Sequence, residues 1–286
     1  MTTLTPPPPP ALSPGSRTAL RVVLVVAAAV LLLGTLVGLG VLAWGVSTVR
    51  VVADEQDLPA EMRTLTIDTG DIPAMLRITS DWETRTPVAE LRLVNSFRGG
   101  DHRLLVTTAG ADTEIRIDGN PSRVNRWGRA AEVTVTLPPD QARRLHLTTR
   151  QQAGVLLAQT DLDELTAGTR HGRIILSGDA RRIEVHSQNG GVKARQAISV
   201  TESFRATTGE GEIDVEFRDA PPRTVHATTR RGAVVLGLPG SGPYLVHAQA
   251  GGSTRVRVPE TTSPTAATAE VTARADEGNV LIEQSG

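Results

Sequence analysis

The stretch LTAGTRHGRIILSGDARRIEVHSQNGGVKA, residues 165–194, contains one pattern twice. Each copy has alternating apolar and polar residues, then a glycine, then a second alternating run. Alternation with a period of two predicts two short strands, each with one inward face, and a glycine between them suits a turn with positive φ. Because one such strand pair cannot bury its apolar face alone, the pattern predicts a repeat that folds by stacking.

The repeat extends over residues 141–286 and is marked by seven glycines: Gly154, Gly172, Gly190, Gly211, Gly232, Gly252 and Gly278. The position seven residues before each glycine is always apolar, and is occupied by Leu147, Leu165, Ile183, Phe204, Val225, Leu245 and Val271. The position four residues after each glycine is always apolar as well. The predicted fold class is all-β, a parallel β-solenoid with coils of about 20 residues, preceded by one transmembrane α-helix.

Charge supports the alignment. Residues of one column lie side by side in such a stack, at about 4.8 Å. Three pairs of opposite charge would then meet between the coils of Gly190 and Gly211: Glu184 with Arg205, Lys193 with Asp214, and Arg195 with Glu216.

The transmembrane helix is predicted over residues 19–46. No residue from Val22 to Val46 is charged, and at about 1.5 Å per residue this run crosses a hydrocarbon core of roughly 30 Å. Arg17 and Arg21 precede the run, so the positive-inside rule places the N-terminus in the cytoplasm and the C-terminal domain outside it. A cleaved signal peptide is the alternative, but the run is longer than a typical signal core and no small-x-small cleavage site follows it.

The remaining segments complete the predicted domain organisation. Residues 1–18 contain a run of five prolines and are expected to form a disordered cytoplasmic tail. Residues 47–62 are expected to be a polar linker. Residues 63–140 alternate less regularly and are expected to form an irregular β section, or a cap on the solenoid, before the regular repeats of 141–286.

Composition excludes several function classes. The chain has no cysteine, which excludes disulfides, thiol catalysis and thiolate metal sites. The net charge of −1 gives no argument for nucleic acid. All basic residues except Lys193 are arginines, which we interpret as the coding bias of a high-GC bacterium.

The sequence resembles the bacterial putative-adhesin family over about residues 63–286. The resemblance is carried by AEVTVTLPPDQARRLHLTTRQQAGVLL (131–157), ELTAGTRHGRIIL (164–176) and IEVHSQNGGV (183–192). It implies a β-solenoid exposed at the cell envelope, often behind a single membrane helix, and no established catalytic residues. The chain departs from the family pattern where residues 257–270 (RVPETTSPTAATAE) interrupt the repeat.

Candidate metal and catalytic residues are scattered. Five histidines of the repeat region fall at different distances from their glycines, so no two are expected to share a column: His146, His171, His186, His226 and His247. A sixth, His102, precedes the repeat. A metal site needs several ligands to converge, and the fragment Gly99-Gly100-Asp101 of a calcium-binding repeat occurs only once.

Charged residues of the repeat suggest two further kinds of site. Four acids alternate along one strand, as acid/base or calcium-binding groups of a polysaccharide-cleaving enzyme would: Glu210, Glu212, Asp214 and Glu216. Four arginines near the glycine turns could bind a polyanion: Arg170, Arg173, Arg230 and Arg231. We interpret both sets as solvated surface with balancing charges nearby, and therefore predict no catalytic, cofactor-binding or metal-binding residue and no cofactor.

The predicted function is that of a membrane-anchored, extracytoplasmic, adhesin-like interaction or scaffold protein of the bacterial cell envelope, without catalysis. Its expected partners are the membrane and a cell-wall glycan or an envelope protein, with no nucleic acid. Two alternatives stay open, a β-helical carbohydrate-active enzyme and an envelope-stress sensor that signals through residues 1–18.

Overall fold

The computed structural model describes residue 31 and residues 49–96, 103–118, 131–240 and 242–285. The part from Val51 to Gly286 forms one compact unit. The predicted tail (1–18) and, apart from Leu31, the predicted transmembrane helix (19–46) lie outside the described residues. No helix in the described ranges has the length and apolar character needed to span a bilayer. The transmembrane helix therefore stays a prediction.

Strands dominate the described residues. They are β1 (Val49–Asp57), β2 (Thr64–Asp68), β3 (Ala74–Ser80), β4 (Val88–Ser96), β5 (Arg103–Ala109), β6 (Asp112–Asp118), β7 (Ala131–Leu137), β8 (His146–Gln159), β9 (Leu162–Ser177), β10 (Asp179–Asn189), β11 (Val192–Ala194), β12 (Ser199–Glu210), β13 (Ile213–Glu216), β14 (Thr224–Arg231), β15 (Val234–Leu238), β16 (Tyr244–Ala250), β17 (Thr254–Arg257), β18 (Ala269–Glu277) and β19 (Val280–Gln284). A short helix, α1 (Pro139–Ala142), separates β7 from β8. The all-β prediction is confirmed. The segment 47–62, expected to be a linker, contains β1.

The sheet is mixed, and most of its pairs are parallel. In the first ladder, the N-terminal half of β8 pairs with β9, β9 with β10, β10 with β12, and β12 with β14. In the second ladder, the C-terminal half of β8 pairs with β9, followed by β11, β13 and β15. The chain turns from the first ladder to the second at the column of glycines, and we call this turn the corner. Strands β8 and β9 continue through the corner and belong to both ladders. A layer is one strand segment of the first ladder together with the segment of the second ladder that follows it in sequence.

The register places the predicted apolar column inside the molecule. Its members from β8 to β14 are direct neighbours in the first ladder and are at most 5% exposed: Leu147, Leu165, Ile183, Phe204 and Val225. Of the three predicted charge contacts, Glu184 lies beside Arg205 and Lys193 beside Asp214. Only the second is an ion pair within the described part of the chain, with 2.7 Å between Nζ and Oδ2.

Glycine occupies the corner because the layers touch there through their backbones. Gly190 has φ 145°, a conformation that residues with side chains rarely adopt. A Cβ placed on it would lie 1.7 Å from the carbonyl oxygen of Gly172 in the adjacent layer. Gly154, Gly211 and Gly232 share the positive φ. At the other column glycines, Gly172, Gly252 and Gly278, the close contact between layers alone excludes a Cβ.

The last two layers are stacked out of sequence order. Strands β18 and β19 pair with β14 and β15 on one side and with β16 and β17 on the other. Residues 269–284 thus lie between the layer of Gly232 and the layer of Gly252. The column pattern cannot reveal this order, because it is the same for every layer.

One column assignment in this region is wrong. Leu245, predicted to face inward, pairs with Glu270 and is half-buried, whereas Val246 pairs with Val271. The reason is the length of the corner. Ala250 pairs with Ala275, but Ala250 lies two residues before Gly252 and Ala275 lies three residues before Gly278. An alignment that superimposes the two glycines therefore displaces β16 by one residue relative to its true neighbours in β18.

The N-terminal strands show the same kind of insertion. Strand β2 pairs with β6 and β8, and β3 pairs with β7 and β8. The layer of residues 64–80 therefore lies between β6–β7 and β8. Strands β5 and β4 then pair antiparallel with β6 and β7.

Candidate ligand-binding groove

An outward-facing column of the first ladder contains a gap. Arg150, Gly168 and His186 occupy the same position on three successive strands. Because Gly168 has no side chain, nothing fills the space between the arginine and the histidine in this column. A Cβ added to Gly168 would have no neighbouring atom closer than 3.9 Å, so the gap is open rather than packed.

The gap is part of a shallow, open groove of about 400 Å³. Its polar lining includes Asp68, Arg150, Gln152, Arg170, His186 and Gln188. These side chains come from the β2 layer and from β8, β9 and β10, which the stacking places next to one another.

The two arginines of the groove form no ion pair within the described ranges, although Asp68 is the direct strand neighbour of Arg150. Neither Arg150 nor Arg170 has an ion pair or side-chain hydrogen bond to another described residue. The groove's acid, Asp68, uses its Oδ1 atom to accept a hydrogen bond of 2.8 Å from the backbone N–H of Gly70. Two guanidinium groups therefore present free donors to solvent in one groove.

Two buried polar residues, Gln151 and Thr169, lie behind the groove. The Nε2 atom of Gln151 donates to the carbonyl oxygen of Ala74 at 3.2 Å. The hydroxyl of Thr169 is 95% buried by residue and has no hydrogen-bond partner within the described chain. In contrast, Thr229, which occupies the same column, donates to the carbonyl oxygen of Gly211 at 2.9 Å. Thr169 shares the inward-facing column of Gln151 and Ser187, on the face of β9 opposite Gly168 and Arg170, so its hydroxyl is not accessible from the groove.

A second charged region lies on the same ladder but is satisfied internally. Arg181 donates from Nε and Nη2 to the two carboxylate oxygens of Asp163, at 2.8 and 3.0 Å. It also contacts Glu164 at 2.5 Å and Glu202 at 3.1 Å. The Arg181 guanidinium lowers the pKa of Asp163, and hydrogen bonding from Arg182 lowers the pKa of Glu202.

This ion-pair cluster includes a set of residues with metal-ligand chemistry. Ligand atoms of His146, Asp163 and Glu164 lie within 4.8 Å of one another. However, both carboxylates accept hydrogen bonds from Arg181. A metal ion would have to displace that cation, so we assign no metal to the cluster.

The four alternating acids do not act as one group. Glu210 pairs with Arg230, at 3.3 Å, and with Arg231, while Asp214 pairs with Lys193. Glu212 and Glu216 are exposed on the strand.

The predicted arginine set divides in two. The balancing acid expected near Arg230 and Arg231 is present in Glu210. No described acid forms an ion pair with Arg170 or Arg173, although Asp68 lines the same groove as Arg170. The sequence contains a signal for the groove, namely a glycine away from the turn at a polar strand position, Gly168.

The histidine prediction needs one correction. Thr272 pairs with both His226 and His247, so these two histidines share a column with one layer between them. The cause is again the one-residue shift of β16. At about 4.8 Å per layer their backbones are about 10 Å apart.

The predicted calcium-binding fragment, Gly99-Gly100-Asp101, lies outside the described residues.

Comparison with known proteins gives structural neighbours. No family model matches the chain, and no curated protein matches it. A putative adhesin from Parabacteroides merdae has a TM-score of 0.46 at 9% identity, covering 83% of this chain and 97% of its own. A putative cell adhesion protein from Clostridium sporogenes has a TM-score of 0.36 at 11% identity, covering 82% and 100%. A putative lipid binding protein from Parabacteroides distasonis has a TM-score of 0.43 at 10% identity, covering 80% and 96%.

Proposed function

We propose that this chain is an adhesin-like interaction module of the bacterial cell envelope, without catalysis, built as a parallel β-solenoid and anchored by a transmembrane helix over residues 19–46. The observation that carries the proposal is the groove on the outward face of the first ladder, where free arginines and amides meet. Arginines and amides are groups that bind a ligand and hold it, and the titratable residues Asp68 and His186 line the same groove.

The stacking supports the solenoid. Parallel register runs through β8, β9, β10, β12 and β14 without a change of direction. Stacked repeats of this kind produce long faces on which neighbouring layers can bind one extended ligand. The groove spans several such layers.

The charge pattern supports the absence of catalysis. Asp163 and Glu202 are held in the ionised form by arginines, because their pKa values are lowered. A general acid requires the opposite shift. Glu210 and Asp214 are ion-paired as well.

The sequence supports the location. The uncharged run from Val22 to Val46, preceded by Arg17 and Arg21, would place the groove outside the cytoplasm. The resemblance of residues 63–286 to the putative-adhesin family is in keeping with an exposed position at the envelope.

Location can be tested by labelling, because the chain has no cysteine of its own. We expect a membrane-impermeant maleimide to label Ser263→Cys on intact spheroplasts, and to label Thr3→Cys only after lysis. Labelling of Thr3→Cys without lysis would overturn the orientation. Recovery of a mature chain that lacks Thr3 and is released from the membrane would show that the apolar run is a cleaved signal peptide and not an anchor.

Binding can be tested with the full chain in nanodiscs. We expect it to sediment with isolated cell envelopes, and we expect the Ile213→Asp variant, which should not fold, to remain in the supernatant. Failure of the wild type to sediment would contradict the interaction role. Release of shortened polysaccharide during the incubation would instead favour the enzyme alternative, and loss of that release in Glu212→Gln would establish it.

A further inference from the structure

The most informative contrast on the surface is between two groups of arginines. Arg181 and Arg182 of the ion-pair cluster and Arg230 and Arg231 beside Glu210 are neutralised by nearby acids. Arg150 and Arg170 line a groove and have no acid paired with them in the described chain. A charge that the protein leaves unpaired in a concave site is available to a ligand of opposite charge.

We propose that the groove binds an acidic polysaccharide that carries separate carboxylates among many hydroxyls, of which a uronic-acid polymer is the simplest example. This inference rests on the proposed function and names its ligand. Three features of the groove lead to it, and each concerns a different part of such a polymer.

The first feature is the pair of guanidinium groups. A planar guanidinium binds a carboxylate through two parallel hydrogen bonds. Arg150 and Arg170 lie on adjacent strands, β8 and β9, so they are one layer apart along the stack. Two anionic groups of one extended chain can therefore be bound by neighbouring layers.

The second feature is the supply of neutral hydrogen-bonding groups. Gln152 and Gln188 line the groove with amides, which both donate and accept. These groups can form hydrogen bonds with the hydroxyls of a sugar. A small, purely anionic ligand would not use them.

The third feature is the limited positive charge. Asp68 lines the groove together with the two arginines, so the site favours a polymer with separated charges over a densely charged polyanion. The gap at Gly168 leaves room for the chain between Arg150 and His186.

The experiment measures binding of the full chain in nanodiscs to three polymers by titration calorimetry: polygalacturonate, neutral dextran and dextran sulfate. We expect polygalacturonate to bind and its affinity to fall as salt is raised. We expect dextran to bind at least tenfold more weakly. Equal binding of dextran and polygalacturonate would overturn the acidic ligand, and tighter binding of dextran sulfate would overturn the carboxylate assignment.

Variants locate the site. Arg150→Gln and Arg170→Gln should each lower the affinity for polygalacturonate about tenfold, because each removes charge-assisted hydrogen bonds. Gly168→Gln, which fills the gap with a neutral side chain, should lower it as well. The matched controls are Arg182→Gln and Arg230→Gln, which remove paired arginines outside the groove and should leave the affinity unchanged. Equal loss in the controls would overturn the site.

Two further measurements separate folding and function from ligand choice. Circular dichroism and thermal unfolding should show the same folded state in all five variants. If the wild type sediments with envelopes but does not bind polygalacturonate, the ligand inference fails while the interaction role stands. If it neither sediments nor binds, both fail.

Discussion

The middle of the stack and its two ends are built from the same layer but assembled differently. From β8 to β15 each layer packs on the one that precedes it in sequence. At the C-terminal end, residues 269–284 enter between two earlier layers. At the N-terminal end, residues 64–80 lie between β6–β7 and β8.

The difference shows what the repeat encodes. Apolar columns and corner glycines define which residues face inward and where the chain turns, and they are satisfied by any order of equivalent layers. The connections differ between the middle and the end. The five residues between Leu238 and Tyr244 take the chain past one layer position, and the 11 residues between Arg257 and Ala269 return it to that position. Substitutions and deletions at the ends therefore test most directly how the end layers differ from the middle layers.

Deletion of residues 269–286 should have the largest effect. It removes the layer that covers β14 and β15 and also the partner of β16 and β17. Six buried apolar side chains are lost (Ala269, Val271, Ala273, Ala275, Val280 and Ile282), so we expect a decrease of more than about 5 kcal/mol in the free energy of unfolding. Urea denaturation measures it, with deletion of Ser285 and Gly286 alone as the control. A deletion variant as stable as the wild type would show that the inserted layer is not part of the core.

A charge inside a middle layer should have the next largest effect. Ile213 is fully buried, whereas its neighbour Asp214 points outward and is paired with Lys193. We expect Ile213→Asp to lower the free energy of unfolding by about 3–5 kcal/mol, or to prevent folding. Asp214→Asn should hardly change it, because the pair is exposed. Equal damage from both substitutions would contradict the register.

Corner glycines should differ between the middle and the end. In Gly190→Ala the new Cβ would clash with the backbone of Gly172, and φ is positive, so we expect a loss of about 3 kcal/mol or more. Gly252 belongs to the terminal layer, which is covered on one side, and its φ is not in the left-handed region. We expect Gly252→Ala to cost about half as much, since that layer can move outward. Thermal unfolding of both variants provides the comparison, and a larger loss at Gly252 would refute it.

The smallest effect concerns the ion-pair cluster of the middle layers. The pKa of Asp163 is lowered in the folded chain, so its contribution to stability is present above the ordinary value of 3.8 and is lost as pH falls through the folded pKa. We expect Asp163→Asn to cost about 1 kcal/mol or less between pH 5 and 7. Below the ordinary pKa the difference from wild type should shrink. Chemical denaturation from pH 7 down to below 3.8 measures the difference. A difference that grows towards acid would show that the pKa of Asp163 is raised by folding.

Much of the strand pattern could be read from sequence. Period-two alternation assigns inward residues such as Leu165 and Ile183, because side chains of a strand alternate between its two faces. The prediction failed at Leu245, where the distance to the glycine is one residue shorter than in the neighbouring layer. Such a change in the corner leaves no trace in the alternation itself.

The groove could be predicted only in part. Arg170 was singled out by sequence, but whether an arginine is paired depends on which acid the next layer places beside it. Arg231 lies beside Glu210, whereas Arg170 has no acidic partner within the described residues. Asp68 and Arg150 are 82 positions apart in sequence and become neighbours through the insertion of the β2–β3 layer.

The sequence by itself determined the all-β class, the inward columns and the need for glycine at the corners, because these follow from local alternation and from backbone sterics. Only the tertiary structure decided the order of the layers at both ends, the pairing of each charge and the position of the groove. These properties depend on contacts between residues distant in sequence, and a repeat whose layers are interchangeable does not specify them locally.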